Sequence, residues 1–172
     1  MKKTVLVMVA VIVLAVLVFV GRGLLFGRNI YKDENVVFAY PEGWQGSSRT
    51  DFMFYPPQIG VEEEGMKSRI SLRVDDMMAK NAAINVTPEK IKKGLAQRIP
   101  DVSFLAETST TVSGKKGYRV VIGGSFRKVP IKGIGIFVAK GAKLYSITYT
   151  SPIDSFEKDL KEFDKFLKSI KF

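Results

Sequence analysis

Cysteine and histidine are both missing from this sequence, and tryptophan occurs once. Without thiols or imidazoles the chain cannot build a disulfide framework, a thiolate or imidazole metal site, a cysteine nucleophile or a Ser-His-Asp triad. A phosphate loop is also missing, because such loops need glycines between a strand and a helix N-terminus, where amides can approach the anion. Gly114-Lys115-Lys116-Gly117 lacks the spacing and the following Ser or Thr, and Gly133-Ile134-Gly135 lies inside a strand pattern. Both read as turn and bulge glycines. An enzyme built from this chain would need converging carboxylates or a Ser-Lys pair.

What is present is 172 residues, a length suited to one domain, with 27 basic residues against 17 acidic ones and a formal charge of +10. Mean hydropathy is nevertheless slightly positive, +0.07, so one segment must carry the excess. That segment is Thr4 to Val20: after the threonine come eight Val, three Leu, two Ala and one each of Ile, Phe and Met, with no charge. At 1.5 Å per residue its helix would span roughly 25 Å of an approximately 30 Å hydrocarbon core, so Leu24, Leu25 and Phe26 would extend it and Arg22 would snorkel. Its Val, Leu, Ile and Phe favour insertion by roughly 4 to 8 kcal/mol, more than one terminal Arg opposes. The run exceeds the h-region of a signal peptide, although Gly21 and Gly23 could serve as a weak cleavage site, which leaves a cleaved signal as the competing reading.

Lys2 and Lys3 before the run and Arg22, Arg28 and Lys32 after it nearly balance, so orientation rests on the Lys-Lys start, which is the shape of an export signal and places the following domain outside. Residues 1–28 are therefore assigned to a single-pass anchor with its flanks and residues 29–172 to an extracytoplasmic domain. Four of the basic residues and no acidic ones precede Asn29, so the domain carries 23 against 17, or +6. Residues 21–34 read as a polar, glycine-containing connector.

The domain reads as α+β. Strands are expected at Asn35–Tyr40, ending at Pro41-Glu42-Gly43; at Arg49–Tyr55; at Arg69–Val74, where Arg69, Ser71 and Arg73 alternate with Ile70, Leu72 and Val74; and, less regularly, at Asp101–Val112, with Val102, Phe104 and Ala106 on one parity. Gly117–Arg127, Ile131–Ala139 and Lys143–Thr150 follow, joined by Val129-Pro130 and by Lys140-Gly141-Ala142, links short enough to require antiparallel neighbours. Thr87 and Pro88 open a helix with Ile91, Leu95 and Ile99 on one stripe. Ser151, Pro152 and Asp154 are expected to cap a second, whose stripe is Phe156, Leu160, Phe163, Leu167 and Ile170.

Candidate binding residues are few. Glu62, Glu63 and Glu64 form one acidic cluster and Asp75 with Asp76 another; hard oxygen ligands of this kind suit a divalent cation such as Ca²⁺. Lys90, Lys92, Lys93 and Arg98 gather on the first helix, and Lys115, Lys116, Arg119 and Arg127, with Lys128 and Lys132, on the central strands and turns. Such a positive surface attracts anionic headgroups or acidic partners. Nucleic acid is not expected, since no recognition motif or aromatic–basic interleaving appears. Trp44 either plugs the sheet edge or, with Tyr40, lines a surface groove.

The run Val36-Val37-Phe38-Ala39-Tyr40-Pro41-Glu42-Gly43-Trp44 resembles the opening strand and turn of PsbP-like domains, the family of the extrinsic photosystem II subunit and its non-photosynthetic bacterial relatives. Gly117-Tyr118-Arg119, Lys143 to Thr148, Ser151-Pro152 and Phe156 through Phe163, Phe166 and Ser169 resemble its closing hairpin and final helix. The resemblance spans residues 30 to 172 and implies an antiparallel sheet flanked by helices, an α-β-α sandwich. It also implies a non-enzymatic extracytoplasmic binding or assembly module acting on a membrane or envelope partner. The photosystem member is associated with Ca²⁺ and Cl⁻ retention, but no ligand motif of that kind matches here and no cofactor is carried over. A carrier or sensor holding a small apolar or lipid molecule between helix and sheet is the alternative.

Overall fold

The computed structural model describes residues 29–32, 34–48, 51–55, 67–77, 87–99 and 101–172. The expected membrane segment and Glu62, Glu63 and Glu64 lie outside these, and among the described residues no helix is long and apolar enough to cross a membrane. In chain order the elements are β1 (Asn29–Lys32), β2 (Val37–Tyr40), β3 (Gln45–Ser48), β4 (Asp51–Tyr55), β5 (Arg69–Asp76), α1 (Pro88–Ala96), β6 (Ser103–Val112), β7 (Lys115–Phe126), β8 (Val129–Lys140), β9 (Lys143–Pro152), a 3₁₀ turn (Ile153–Ser155) and α2 (Phe156–Ser169). β1 and β2 pair as a small antiparallel sheet; the other seven strands form one sheet in the order β3-β4-β5-β9-β8-β7-β6 with every pairing antiparallel.

The pleat sorts side chains between two faces. One face carries Ile70 and Leu72 of β5, Tyr145, Ile147 and Tyr149 of β9, and Ile134, Ile136 and Val138 of β8, all buried and aligned by register. α2 and the β1–β2 sheet cover it through contacting rings: Tyr149 lies 5.1 Å from Phe156 and 5.4 Å from Phe163, and Phe38 lies 5.2 Å from Phe166. The opposite face carries Val120, Ile122 and Ile131, with α1 held there by Lys92, which reaches Glu107 of β6. Helices thus flank an antiparallel sheet. β5 alternates as expected, Ile70 and Leu72 buried between half-buried Arg69, Ser71 and Arg73.

Several boundaries differ from the sequence reading. The second helix was expected to open at Ser151-Pro152, but these residues continue the β9 ladder, Pro152 opposite Ile131, and the helix begins at Phe156 with no side-chain cap. Ser151 is buried, 2.8 Å from the hydroxyl of Ser68, so its oxygen serves an interior pair instead of helix amides. Thr87 does cap α1, accepting from the Lys90 amide at 3.4 Å, with Pro88 in the first turn. Residues 29–32 of the expected connector are a strand, and β3 was not anticipated. The β7–β8 turn is Arg127-Lys128, while Val129 and Pro130 already belong to β8. Gly133 and Gly135 sit in an unbroken register; they are small because Ile122, Val120 and the Phe137 ring fill the space a Cβ would take. The bulge lies instead at Leu105, and it puts Phe104, opposite Ile122, and Ala106, opposite Val121, on different faces.

Candidate functional site

The hairpin turns decide where the expected cations go. Ser113 and Gly114, at φ 47° and 75°, form the β6–β7 turn and place Lys115 and Lys116 at one end of the sheet. Successive strand residues point to opposite faces, so Lys115, opposite Val112, and Lys116, opposite Thr111, diverge. Arg119 shares the face of Lys115 and lies opposite Thr108 and Ile136. Arg127 follows the twelve-residue strand β7, about 40 Å from Lys115 at the usual strand rise. The four cations therefore do not form one patch. Arg127 lies instead over the ring of Phe126, 5.5 Å from its centroid.

The acidic pair behaves likewise. Asp75 accepts from the Arg73 guanidinium at 2.9 Å, whereas Asp76, on the other face of the strand, stands opposite Lys143. Among the described residues no group of three acidic side chains is arranged to hold a metal ion.

Tyr40 and Trp44 are separated by the turn between them. The Trp44 amide donates to the Pro41 carbonyl at 3.2 Å, closing a β-turn with Gly43 at φ 76°, a left-handed position that glycine adopts without a Cβ clash. The Trp44 side chain, 7 % exposed, joins the core. Tyr40 lines a groove of about 440 Å³ between the turn, at Ala39, Pro41 and Glu42, and the last turns of α2, at Glu162, Lys165, Phe166, Lys168 and Ser169. Its floor is a clasp: the Ser169 hydroxyl accepts from the Ala39 amide at 2.9 Å and has two carbonyls in reach of its single proton, that of Phe166 at 2.7 Å and that of Ala39 at 3.0 Å. Beyond it, Val37 and Lys171 exchange two backbone hydrogen bonds of 2.8 Å. Lys165 engages Glu162 at 2.6 Å. The serine and that lysine are thus occupied by structural partners, and the groove offers an aromatic edge and charges of both signs, suited to holding a polar or charged segment.

Among the described residues the strongest electrostatic perturbation lies under α1. Burial, then the neighbouring carboxylate, pushes the Tyr118 phenol well above the ordinary tyrosine range; it donates to Glu107 at 2.7 Å. Glu107 is held below the usual carboxylate range by that phenol first and by Lys92, at 3.1 Å, second. A phenol held neutral and a carboxylate held ionised make a clasp for α1 and not a proton-transfer pair. The trio was not recognised from sequence, and the groove was weighed there only as one shared by Tyr40 and Trp44, without α2 as its other wall. Glu162 and Lys165 read as solvated helix positions, and nothing local announces that Ala39 meets Ser169 across 130 residues.

No protein-family model and no curated protein matches the chain. Solved structures do. The solution structure of cyanobacterial PsbP (CyanoP) from Synechocystis sp. PCC 6803 is similar at a TM-score of 0.58 and 14% identity, covering 84% of this chain and 92% of that one. LpqN of Mycobacterium tuberculosis, described as involved in cell envelope biogenesis, is similar at 0.59 and 10% identity, covering 79% and 82%. A Pseudomonas aeruginosa protein of unknown function is similar at 0.56 and 9% identity, covering 82% and 94%. The fold of this chain is the PsbP-like fold.

Proposed function

We propose that residues 29–172 are a non-catalytic binding or assembly module, held on the outer side of a membrane by the Thr4–Val20 segment and acting on a membrane or envelope protein. The fold carries the reading, since it is shared with cyanobacterial PsbP and with LpqN, a protein described as involved in cell envelope biogenesis. The site chemistry supports it: among the described residues the groove serine and Lys165 are engaged structurally, and the expected cations and carboxylates do not converge. The carrier alternative has less to rest on. The space between α2 and the sheet is filled by Tyr149, Phe156, Phe163 and Phe166 in ring-to-ring contact, so an apolar guest would have to displace core side chains.

The test is affinity capture of the full chain from detergent-solubilised membranes. A membrane or envelope protein co-purifying in fixed ratio is the expected result, and recovery of the chain alone under mild detergent and low salt counts against the proposal.

A further inference from the structure

The seven-stranded sheet ends on two unlike edges. β3, at one, is four residues long; β6, at the other, is ten, with Leu105 to Ser109 and Thr111 exposed. An edge strand turns the N–H and C=O of alternate residues away from its partner, a row that natural sheets blunt with shortness, Lys, Pro, a bulge or a covering segment. β3 is blunted by its length. β6 contains neither Lys nor Pro, and its bulge at Leu105 comes before the regular run Ala106–Val112. Among the described residues no backbone group other than those of β7 bonds to it. Thr108, Thr110 and Thr111 are β-branched and suit an extended, paired backbone.

Charge says what kind of chain would pair there. One strand in from the edge, Lys116 stands opposite Thr111 on the α1 face, and Arg119 stands opposite Thr108 on the α2 face. Lys115 is exposed at the end of the same hairpin. Among the described residues none of the three has an ion-pair partner. The carboxylates near this edge are Glu107, already held by Tyr118 and Lys92, and Glu89 on α1; Asp101 precedes the strand, beyond the bulge. Cations divided between two faces cannot form a patch, but an extended segment alternates its side chains and meets both faces at once. A residue added opposite Thr111 or Thr108 would lie two strand spacings, about 10 Å, from the cation beyond. A Lys or Arg and an acidic side chain span that distance together over the short threonine.

We infer that the β6 edge, from Ala106 to Thr111, is the docking site for an extended acidic segment of a partner protein, which adds an eighth, antiparallel strand to the sheet. Backbone hydrogen bonds hold the segment, and acidic residues three apart, opposite Thr111 and Thr108, meet Lys116 on one face and Arg119 on the other. The inference rests on the binding role proposed above and names the surface that performs it. A second copy of this chain fits less well, since it brings another domain of +6 and an edge whose one carboxylate, Glu107, is already held.

The test mixes the full-length protein in detergent micelles with a short peptide of Thr and Val carrying Glu at its first and fourth positions, up to millimolar concentration. Amide hydrogen exchange should slow at alternate residues between Ala106 and Thr111 and stay unchanged in β3. Methylating alternate backbone nitrogens of the peptide should abolish binding in one phase and spare it in the other, because only one row of amides faces β6. Lys116→Gln combined with Arg119→Gln should weaken the Glu peptide roughly tenfold at low salt, the effect of two exposed ion pairs, and leave a peptide with Gln in place of Glu unaffected. Unchanged exchange in β6 at the highest peptide concentration overturns the inference. So does binding indifferent to both methylation phases, or protection of β6 in a dimer of the chain alone, which would assign the edge to a second copy. Capture from membranes reads the broader proposal separately. A partner recovered while β6 amides exchange freely keeps the binding module and removes this edge from it; a peptide that docks on β6 while no membrane or envelope protein is captured does the reverse.

Discussion

Individual residues act here through the space and solvent around them. Gly117 and Gly94 make the point, because the same substitution has opposite signs. A Cβ on Gly117 would stand 2.9 Å from both the Phe137 carbonyl oxygen and a Val138 methyl, so Gly117→Ala should destabilise by about 1–3 kcal/mol. Around Gly94, inside α1, nothing lies within 4 Å, and Gly94→Ala should stabilise by roughly 1 kcal/mol. Paired urea denaturation curves check both signs. Tyr149 adds a pH dependence. Burial raises its pKa above the ordinary 10.0, and its hydroxyl donates to the Phe156 carbonyl at 2.7 Å. The unfolded chain releases this proton near pH 10 while the folded one keeps it. Stability from this group is therefore complete below about pH 10 and falls as pH rises beyond it. Tyr149→Phe should cost roughly 1 kcal/mol at pH 8 and show a shallower alkaline decline. Tyr118, shifted in the same direction, contributes to the slope that remains. An alkaline slope unchanged by the substitution would remove Tyr149 as its source.

Elements in this fold are held by their ends as much as by their faces. β2 has β1 on one edge and on the other the Lys171 backbone and the Ser169 hydroxyl, so the end of the chain fastens the small sheet. Phe172 adds a ring contact, 4.5 Å from Tyr145. Removing Lys171 and Phe172 should loosen β1 and β2 while the seven-stranded sheet persists, seen as hydrogen exchange quickened at Val37 but unchanged at Ile147. On the buried side of α2, Phe163→Ala should cost about 3–5 kcal/mol, because a fully buried ring stacked on Tyr149 leaves a cavity the aromatic layer cannot close.

At the scale of the whole molecule, an asymmetric charge distribution meets an asymmetric shape. Residues 29–172 carry +6, but their cations are spread along twelve-residue strands and over both faces, so the charge acts at separate ends and not as one surface. Four further cations and the apolar run precede them. The full chain should stay with membranes through carbonate extraction, and deletion of residues 4–20 should release a folded domain into the soluble fraction; retention of the deleted form at high salt would shift membrane attachment to the domain itself.

Period and punctuation carried much of the fold into view. The alternation of Ile70, Leu72 and Val74, the spacing of Phe156, Phe163 and Ile170, the Thr87-Pro88 cap and the Pro41-Gly43 turn each depend on neighbours within a few residues, and each is found where the local pattern puts it. Antiparallel pairing of the last strands followed from links too short for a crossover. What sequence could not disclose depends on partners distant along the chain. Ser151 has the chemistry of a helix cap, yet Ser68 claims its oxygen; Arg127-Lys128 has no turn signature, yet the register of β7 and β8 forces it into one; and Tyr40 and Trp44, four residues apart, go to a groove and to the core because one faces α2 and the other faces the sheet. Composition and periodicity settled which residues must leave water, whereas only long-range packing decided which polar ones would be left at the same end of the molecule.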